Sequence, residues 1–270
     1  MFESKIFDIG RPLIMAHRGD PSSAPENTLL AMQFAVDAGA DVLETDLQLT
    51  ADKEFVLFHD EDLRRIAGMD VSVNDLTLEE LREVDFGYNF TLDNGHSFPF
   101  RGQGHTAVTL REALEAFPNS RFSLDIRDLG SDAPQMFASI LKELEREDSV
   151  IVASFTPTQL ERFRKIMPSV PTYAHPKEVR NFVYGMKLRL LPLFLRNIRY
   201  RAFAVPIKWN GTTVVSPRFV SSAHRRNIAV HVWTINDAPT MEWLIDLDVD
   251  GIFTDKPRLL IETLSRRGLL

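Results

Sequence analysis

Eight times along the chain a short apolar run is followed by a longer stretch with helical periodicity, and this rhythm constrains the fold more than any other feature. The runs fall at 13–17, 42–48, 121–127, 150–155, 170–173, 202–206, 228–234 and 251–254. Helical patterns lie between them, for example at 28–38, 110–117, 134–147 and 158–167. Strand–helix alternation implies a parallel sheet whose faces are covered by helices. Eight such units predict closure into a (β/α)₈ TIM barrel, an α/β architecture that typically takes about 250 residues. The 270 residues therefore read as one barrel domain, 1–270. With no cysteine, the core must be held by burial alone, which a chain of this length can supply.

One run breaks the rhythm. Residues 55–58 follow the second strand after only a few residues, too few for a parallel crossover, so the pair should be an antiparallel hairpin. A turn near Asp52 and Lys53 would place His59 opposite Asp46 and return it to the barrel mouth. The next stretch, about 60–109, is longer than a barrel loop. It contains a capping-box pattern, Thr77-Leu-Glu-Glu80, and is expected to be a small insertion over the active-site face.

Charge and hydropathy narrow the classes of function. The net charge of −7 argues against a nucleic-acid partner. The N-terminus offers no apolar signal core, and no run of 18 apolar residues exists to span a membrane. Without cysteines, a reducing, cytoplasmic location is expected. The charge is uneven, however: residues 179–236 contain ten Lys or Arg and no Asp or Glu. The bland account of 186–201 is a barrel helix broken at Pro192 with solvated arginines. The alternative is peripheral contact with anionic lipid at the inner face of the membrane through 179–226, each nearby cation being worth about 1 kcal/mol.

The polar residues at strand ends carry the chemistry. Glu44 and Asp46 are two apart on a strand, so both side chains share one side. Paired carboxylates repel unless a proton or cation is present, and oxygen ligands suit Mg²⁺, Ca²⁺ or Mn²⁺. Asp125 and Arg127 repeat the spacing within an apolar run; an ion pair of Asp125 with Arg127 or Arg18 is the alternative to a metal. His17 and Arg18 close the first strand, where catalytic groups of such barrels sit. With His59 arriving by the hairpin, two imidazoles become available as general acid and base.

Ala16-His-Arg-Gly19, Pro25-Glu-Asn-Thr28, Glu44-Thr-Asp46 and His59-Asp60 resemble the signature of the glycerophosphodiester phosphodiesterases. Ala153-Ser-Phe155, Val232-Trp-Thr-Ile-Asn236 and Asp250-Gly-Ile-Phe-Thr-Asp-Lys-Pro257 resemble that family's later strands. The resemblance implies a barrel enzyme that cleaves small glycerophosphodiesters to glycerol 3-phosphate and an alcohol. It implies His17 and His59 as the catalytic pair and Glu44, Asp46 and Asp125 as ligands of a divalent metal ion. It further implies Arg18 as a phosphate contact and Trp233 as an aromatic lining the pocket. Where the family commonly shows Glu and, two residues on, Lys, this chain has Asp125 and Arg127, which bears on metal choice and substrate preference. Arg127 is taken as a further substrate contact. Asn27 or Thr28 should cap the next helix, and Glu26 is a candidate to orient a ligand or His17. The competing readings are lysophospholipase D-type cleavage of lipid diesters and a catalytically silent lipid-binding barrel.

Overall fold

The computed structural model describes residues 9–127, 129–191 and 198–270. Strand β1 (Leu13–His17) pairs in parallel with β2 (Val42–Leu49), which also carries the antiparallel β3 (Phe55–Leu57). From β2 the sheet continues to β4 (Arg121–Ile126) and β5 (Val150–Ala153). The fifth barrel position is reduced to two bridged residues: Thr172 meets Val152 and Tyr173 meets Ala202. The latter opens β6 (Ala202–Val205), which is followed by a small hairpin of β7 (Lys208–Trp209) and β8 (Thr212–Thr213). Strands β9 (Ala229–Val232) and β10 (Gly251–Thr254) return to β1, with Leu13 beside Gly251. Each barrel strand thus neighbours the next in chain order and the circuit closes, the eight-unit barrel expected from the sequence.

The alternation along each strand sorts the core into two shells. Outward-facing Leu43, Leu47, Phe122, Leu124 and Val152 pack with helix residues such as Met32, Leu110 and Phe137. Inward-facing Leu13, Met15, Val42, Ile151, Tyr173, Ala229 and Phe253 form a separate cluster that fills the barrel. Gly251 belongs to this inner layer for lack of space: an added Cβ would lie 2.9 Å from the His231 ring and 3.0 Å from the Met15 sulfur.

Local chemistry sets the helix boundaries. The Thr28 hydroxyl accepts from the Ala31 amide and starts helix Leu29–Ala38, so Thr28, not Asn27, is the cap. Thr77 with Glu80 and Thr109 with Glu112 form full capping boxes. Proline opens helices Pro157–Ile166, Pro176–Lys187, Pro217–His224 and Pro257–Arg266, where its missing N–H costs nothing. The break expected at Pro192 lies outside the described residues.

The hairpin forms, but its register differs by one residue from the expectation. Leu47 pairs with Leu57, so Phe58, whose amide donates to the Asp46 carbonyl, stands opposite Asp46. The connection is a three-residue loop, 51–53, with Lys53 at a φ of 65°, rather than a two-residue turn at 52–53. Within 60–109, Leu63, Val73, Leu81, Val84 and Phe86 pack with Val56 and Phe58 into their own small cluster.

Candidate active site

The strand register assembles the polar residues at the C-terminal mouth. His17 lies beside Glu44, and Asp46 lies beside Asp125, so side chains of three adjacent strands converge. Beyond β1 the chain turns sharply. Arg18 adopts a φ of 59°, its amide donates to the Glu44 carbonyl, and Gly19 rests on helix Leu29–Ala38. A Cβ at Gly19 would come within 2.6 Å of the Ala31 backbone, so only glycine allows this exit from the strand.

Each histidine leans on an aspartate. His17 Nδ1 lies 2.6 Å from Asp255 Oδ1, and the Asn236 amide donates to the other oxygen of Asp255 at 2.6 Å. His59 Nδ1 lies 2.6 Å from Asp60 Oδ1, and Arg65 Nε donates to Asp60 Oδ2 at 2.6 Å. Arg65 also donates to both oxygens of Glu26 (2.7 and 2.8 Å), which in turn accepts from Arg18 at 3.0 Å. Arg18 Nε lies 3.4 Å from Asp46. A chain of opposite charges therefore connects the His59 pair to the carboxylates on β2. Such an arrangement fixes ring orientation while leaving each Nε2 for chemistry.

The electrostatics separate these groups. Burial works against a charged His17, but the Glu44 carboxylate and the hydrogen bond to Asp255 outweigh it and hold the ring's pKa above the ordinary value. Burial also works against charged Asp255 and Asp60, yet the hydrogen bonds from His17 and from Arg65 keep each below the usual carboxylate range. Glu44 and Asp125 move the other way. Burial, joined in each by repulsion from Asp46, pushes both well above it, despite His17 beside Glu44 and Arg127 beside Asp125.

The ion pair weighed for Asp125 does not form. Arg127 donates instead to Asp46 Oδ1 at 2.8 Å, and Arg18 turns to Asp46 and Glu26. Glu44 Oε2, Asp46 Oδ2 and Asp125 Oδ1 are buried without a hydrogen-bond partner. Three orphaned carboxylate oxygens on neighbouring strands fit a hard divalent cation, whose charge would offset their mutual repulsion. The tighter trio in the described residues, Glu161, His175 and Glu178, lies elsewhere. There Arg164 already donates to Glu161 at 2.8 Å and to both oxygens of Glu178 (2.9 and 3.0 Å), so that cluster is an ion-pair network neutralised from within. The chemistry of the donors at the barrel mouth is the better fit to a hard divalent cation.

Trp233, at the end of β9, touches the inner apolar cluster and meets the exposed Phe155 edge-on at 6.4 Å between ring centres. Asp60, Asp255, Asn236 and Arg65 were not singled out in the sequence, although the first three stand inside the motifs quoted above. Glu26 orients Arg18 and Arg65, not His17. His231, by contrast, is a core residue: it is fully buried against Tyr173, and burial pushes its pKa down to about 4.

Comparison with known proteins places the chain in a family and a fold. The glycerophosphoryl diester phosphodiesterase family matches residues 17–259. A glycerophosphodiester phosphodiesterase of Caldanaerobacter subterraneus subsp. tengcongensis is 30% identical, over 96% of this chain and 100% of its own. A lysophospholipase D of Rattus norvegicus is 27% identical, over 93% of this chain and 85% of its own. Among solved structures, a glycerophosphoryl diester phosphodiesterase domain from Mycobacterium tuberculosis shares the fold with a TM-score of 0.78. It is 19% identical, and the match covers 95% of this chain and 99% of that one. Extending from His17, at the end of β1, to the first turn of the last helix, the match establishes that this chain belongs to the glycerophosphoryl diester phosphodiesterase family, a family of phosphoric diester hydrolases.

Proposed function

We propose that the chain hydrolyses small glycerophosphodiesters to glycerol 3-phosphate and an alcohol at the mouth of the barrel. The observation that carries this reading is the set of three orphaned carboxylate oxygens, on Glu44, Asp46 and Asp125, beside two histidine–aspartate pairs. Glu44, Asp46 and Asp125 would hold Mg²⁺, Ca²⁺ or Mn²⁺, which supplies charge neutralisation at a phosphoryl oxygen and a lowered hydroxyl pKa. Arg18 and Arg127 present guanidinium groups to the remaining phosphoryl oxygens. Asp255 and Asp60 hold the rings of His17 and His59 through Nδ1. One Nε2 then takes a proton from the attacking hydroxyl and the other gives a proton to the departing alcohol, and water supplies the oxygen and hydrogens that hydrolysis adds. Trp233 and Phe155 offer an apolar wall to the alcohol moiety.

Phe155 also favours a second reading. It is 53% exposed at the mouth, a surface on which an acyl chain could lie, so lysophospholipase D-type cleavage of a lipid diester remains the competing activity. Hydrolysis of glycerophosphocholine, glycerophosphoethanolamine and lysophosphatidylcholine, with EDTA and with each metal, separates the two. The expected outcome is glycerol 3-phosphate release from the first two, abolished by EDTA. Cleavage of the lysolipid alone would transfer the assignment to the second reading, and no turnover with any metal would refute both.

A further inference from the structure

The acid-free segment contains a surface that the proposed chemistry does not use. The described part of 179–236 exposes Arg180, Lys187, Arg189 and Lys208. Beside them Tyr184, Leu188, Leu190 and Trp209 are exposed, Leu188 at 61% and Trp209 at 54%. None of these four cations has a carboxylate partner among the described residues. Large apolar side chains are normally withdrawn from water, and several together among unpaired cations mark a contact surface.

Three observations place this surface at the mouth end of the barrel. First, the β7–β8 hairpin follows the C-terminal end of β6, so Lys208 and Trp209 project on the side where the active site opens. Second, helix Pro176–Lys187 climbs toward that side. Glu178 near its start binds Arg164, late in helix Pro157–Ile166, the helix that runs away from the mouth end of β5. Third, Arg218 donates to the Met186 carbonyl at 2.7 Å, tying the end of the climbing helix to the first turn of helix Pro217–His224, just after the hairpin. Leu188 and Leu190 lie directly beyond that tie, with Arg189 between them at a φ of 60°.

We propose that this rim, formed by the end of helix Pro176–Lys187 and the 208–213 hairpin, docks on an anionic phospholipid bilayer with the active-site mouth facing the lipid. Charge complementarity selects that occupant: a segment of 58 residues, 179–236, without one acidic side chain attracts a negative surface and carries nothing that repels it. Tryptophan beside lysine on a projecting hairpin is suited to the headgroup layer, where the indole is half apolar and the ammonium meets phosphate. No helix among the described residues is long and apolar enough to cross a membrane, so the contact is peripheral. Docking would bring the mouth to diesters that leave the bilayer surface, an extension of the proposed phosphodiesterase activity.

The test is sedimentation of the full chain with vesicles of equal parts phosphatidylglycerol and phosphatidylcholine, against vesicles of phosphatidylcholine alone. Because it reads binding, its result is independent of whether the phosphodiesterase reading holds. The expected result is binding to the mixed vesicles only, released by raised salt. Lys187→Glu with Arg189→Glu should weaken it at least about tenfold. Mixed vesicles should also blue-shift the tryptophan fluorescence, and Trp209→Ala should remove that shift, while hydrolysis of a soluble glycerophosphodiester stays unchanged in both variants. Absence of binding, equal binding to both vesicles, or indifference to the charge reversal would overturn the proposal. So would a stable dimer in solution that dissociates on Trp209→Ala, because a second copy would then cover the rim.

Discussion

The two ends of the barrel are built from the same strands and obey opposite rules. At the base the inward-facing positions of β1, β2 and β10 are Leu13, Met15, Val42 and Phe253, which fill the interior with apolar contact. One or two alternations further on, the same faces carry His17, Glu44, Asp46 and Asp255. Two histidines show what the difference does. His231, on the inner face of β9, is sealed against Tyr173 with no nearby countercharge strong enough to offset burial, so it is neutral and structural. His17, on the inner face of β1, meets Glu44 and Asp255, which outweigh its burial and favour the charged ring. Burial alone therefore does not decide the role of an inward-facing histidine; the charges it is buried with do.

The largest expected effect tests that contrast directly. His17→Ala and His59→Ala should each lower turnover at least roughly 10²-fold, with little change in melting temperature. His231→Leu should do the reverse, lowering the melting temperature while the folded enzyme keeps its turnover, because Tyr173 loses one buried partner. A His231 variant that stays stable but inactive would break the comparison.

A somewhat smaller effect is expected at the base. Gly251→Ala should cost about 1–3 kcal/mol in denaturant unfolding, since the added methyl meets His231 and Met15 in a filled layer. Unchanged stability would mean that the base is looser than its contacts indicate.

The smallest effect sharpens the account of the mouth and depends on pH. Glu44 and Asp125 hold protons in the metal-free fold that the unfolded chain releases above about pH 5. The unfolded state then binds fewer protons, so stability of the metal-free protein should fall as pH rises from there, and a divalent ion should remove the decline. His17, with its raised pKa, adds in the same direction. Asp125→Asn should stabilise the metal-free protein by about 1–2 kcal/mol at pH 8 while weakening metal binding, measurable by thermal unfolding with and without Mn²⁺. A flat pH profile in EDTA would show that the carboxylates are not strained against one another.

Much of this was legible in the chain. The strand–helix rhythm predicted the closed parallel barrel, and the fifth strand, expected at 170–173, survives only as the bridges of Thr172 and Tyr173. That shortening depends on neighbours in the sheet, which periodicity along one strand does not report. The hairpin was legible from the short gap before Phe55, but its register was not. A three-residue loop with Lys53 in the left-handed region has the same composition as a two-residue turn and shifts the pairing by one. Glu44, Asp46 and Asp125 stood out because carboxylates at i, i+2 or within an apolar run are costly. Their partners did not stand out, since Asp255 is 238 residues from His17 and Arg127 chose Asp46 across 81 residues over Asp125 beside it.

By itself, then, the sequence determined the number and order of the barrel units, the faces of the strands, the helix start at Thr77, and the arrival of His17, Glu44, Asp46, His59 and Asp125 at the mouth. These are local matters of periodicity, capping and the cost of burying charge. Only the tertiary structure decided which carboxylate each arginine takes, which aspartate orients each histidine, and that the acid-free segment turns its exposed rim toward the mouth. Those outcomes depend on strand register and helix direction, in which a shift of one residue or a reversed helix changes every contact while leaving the one-dimensional pattern as it was.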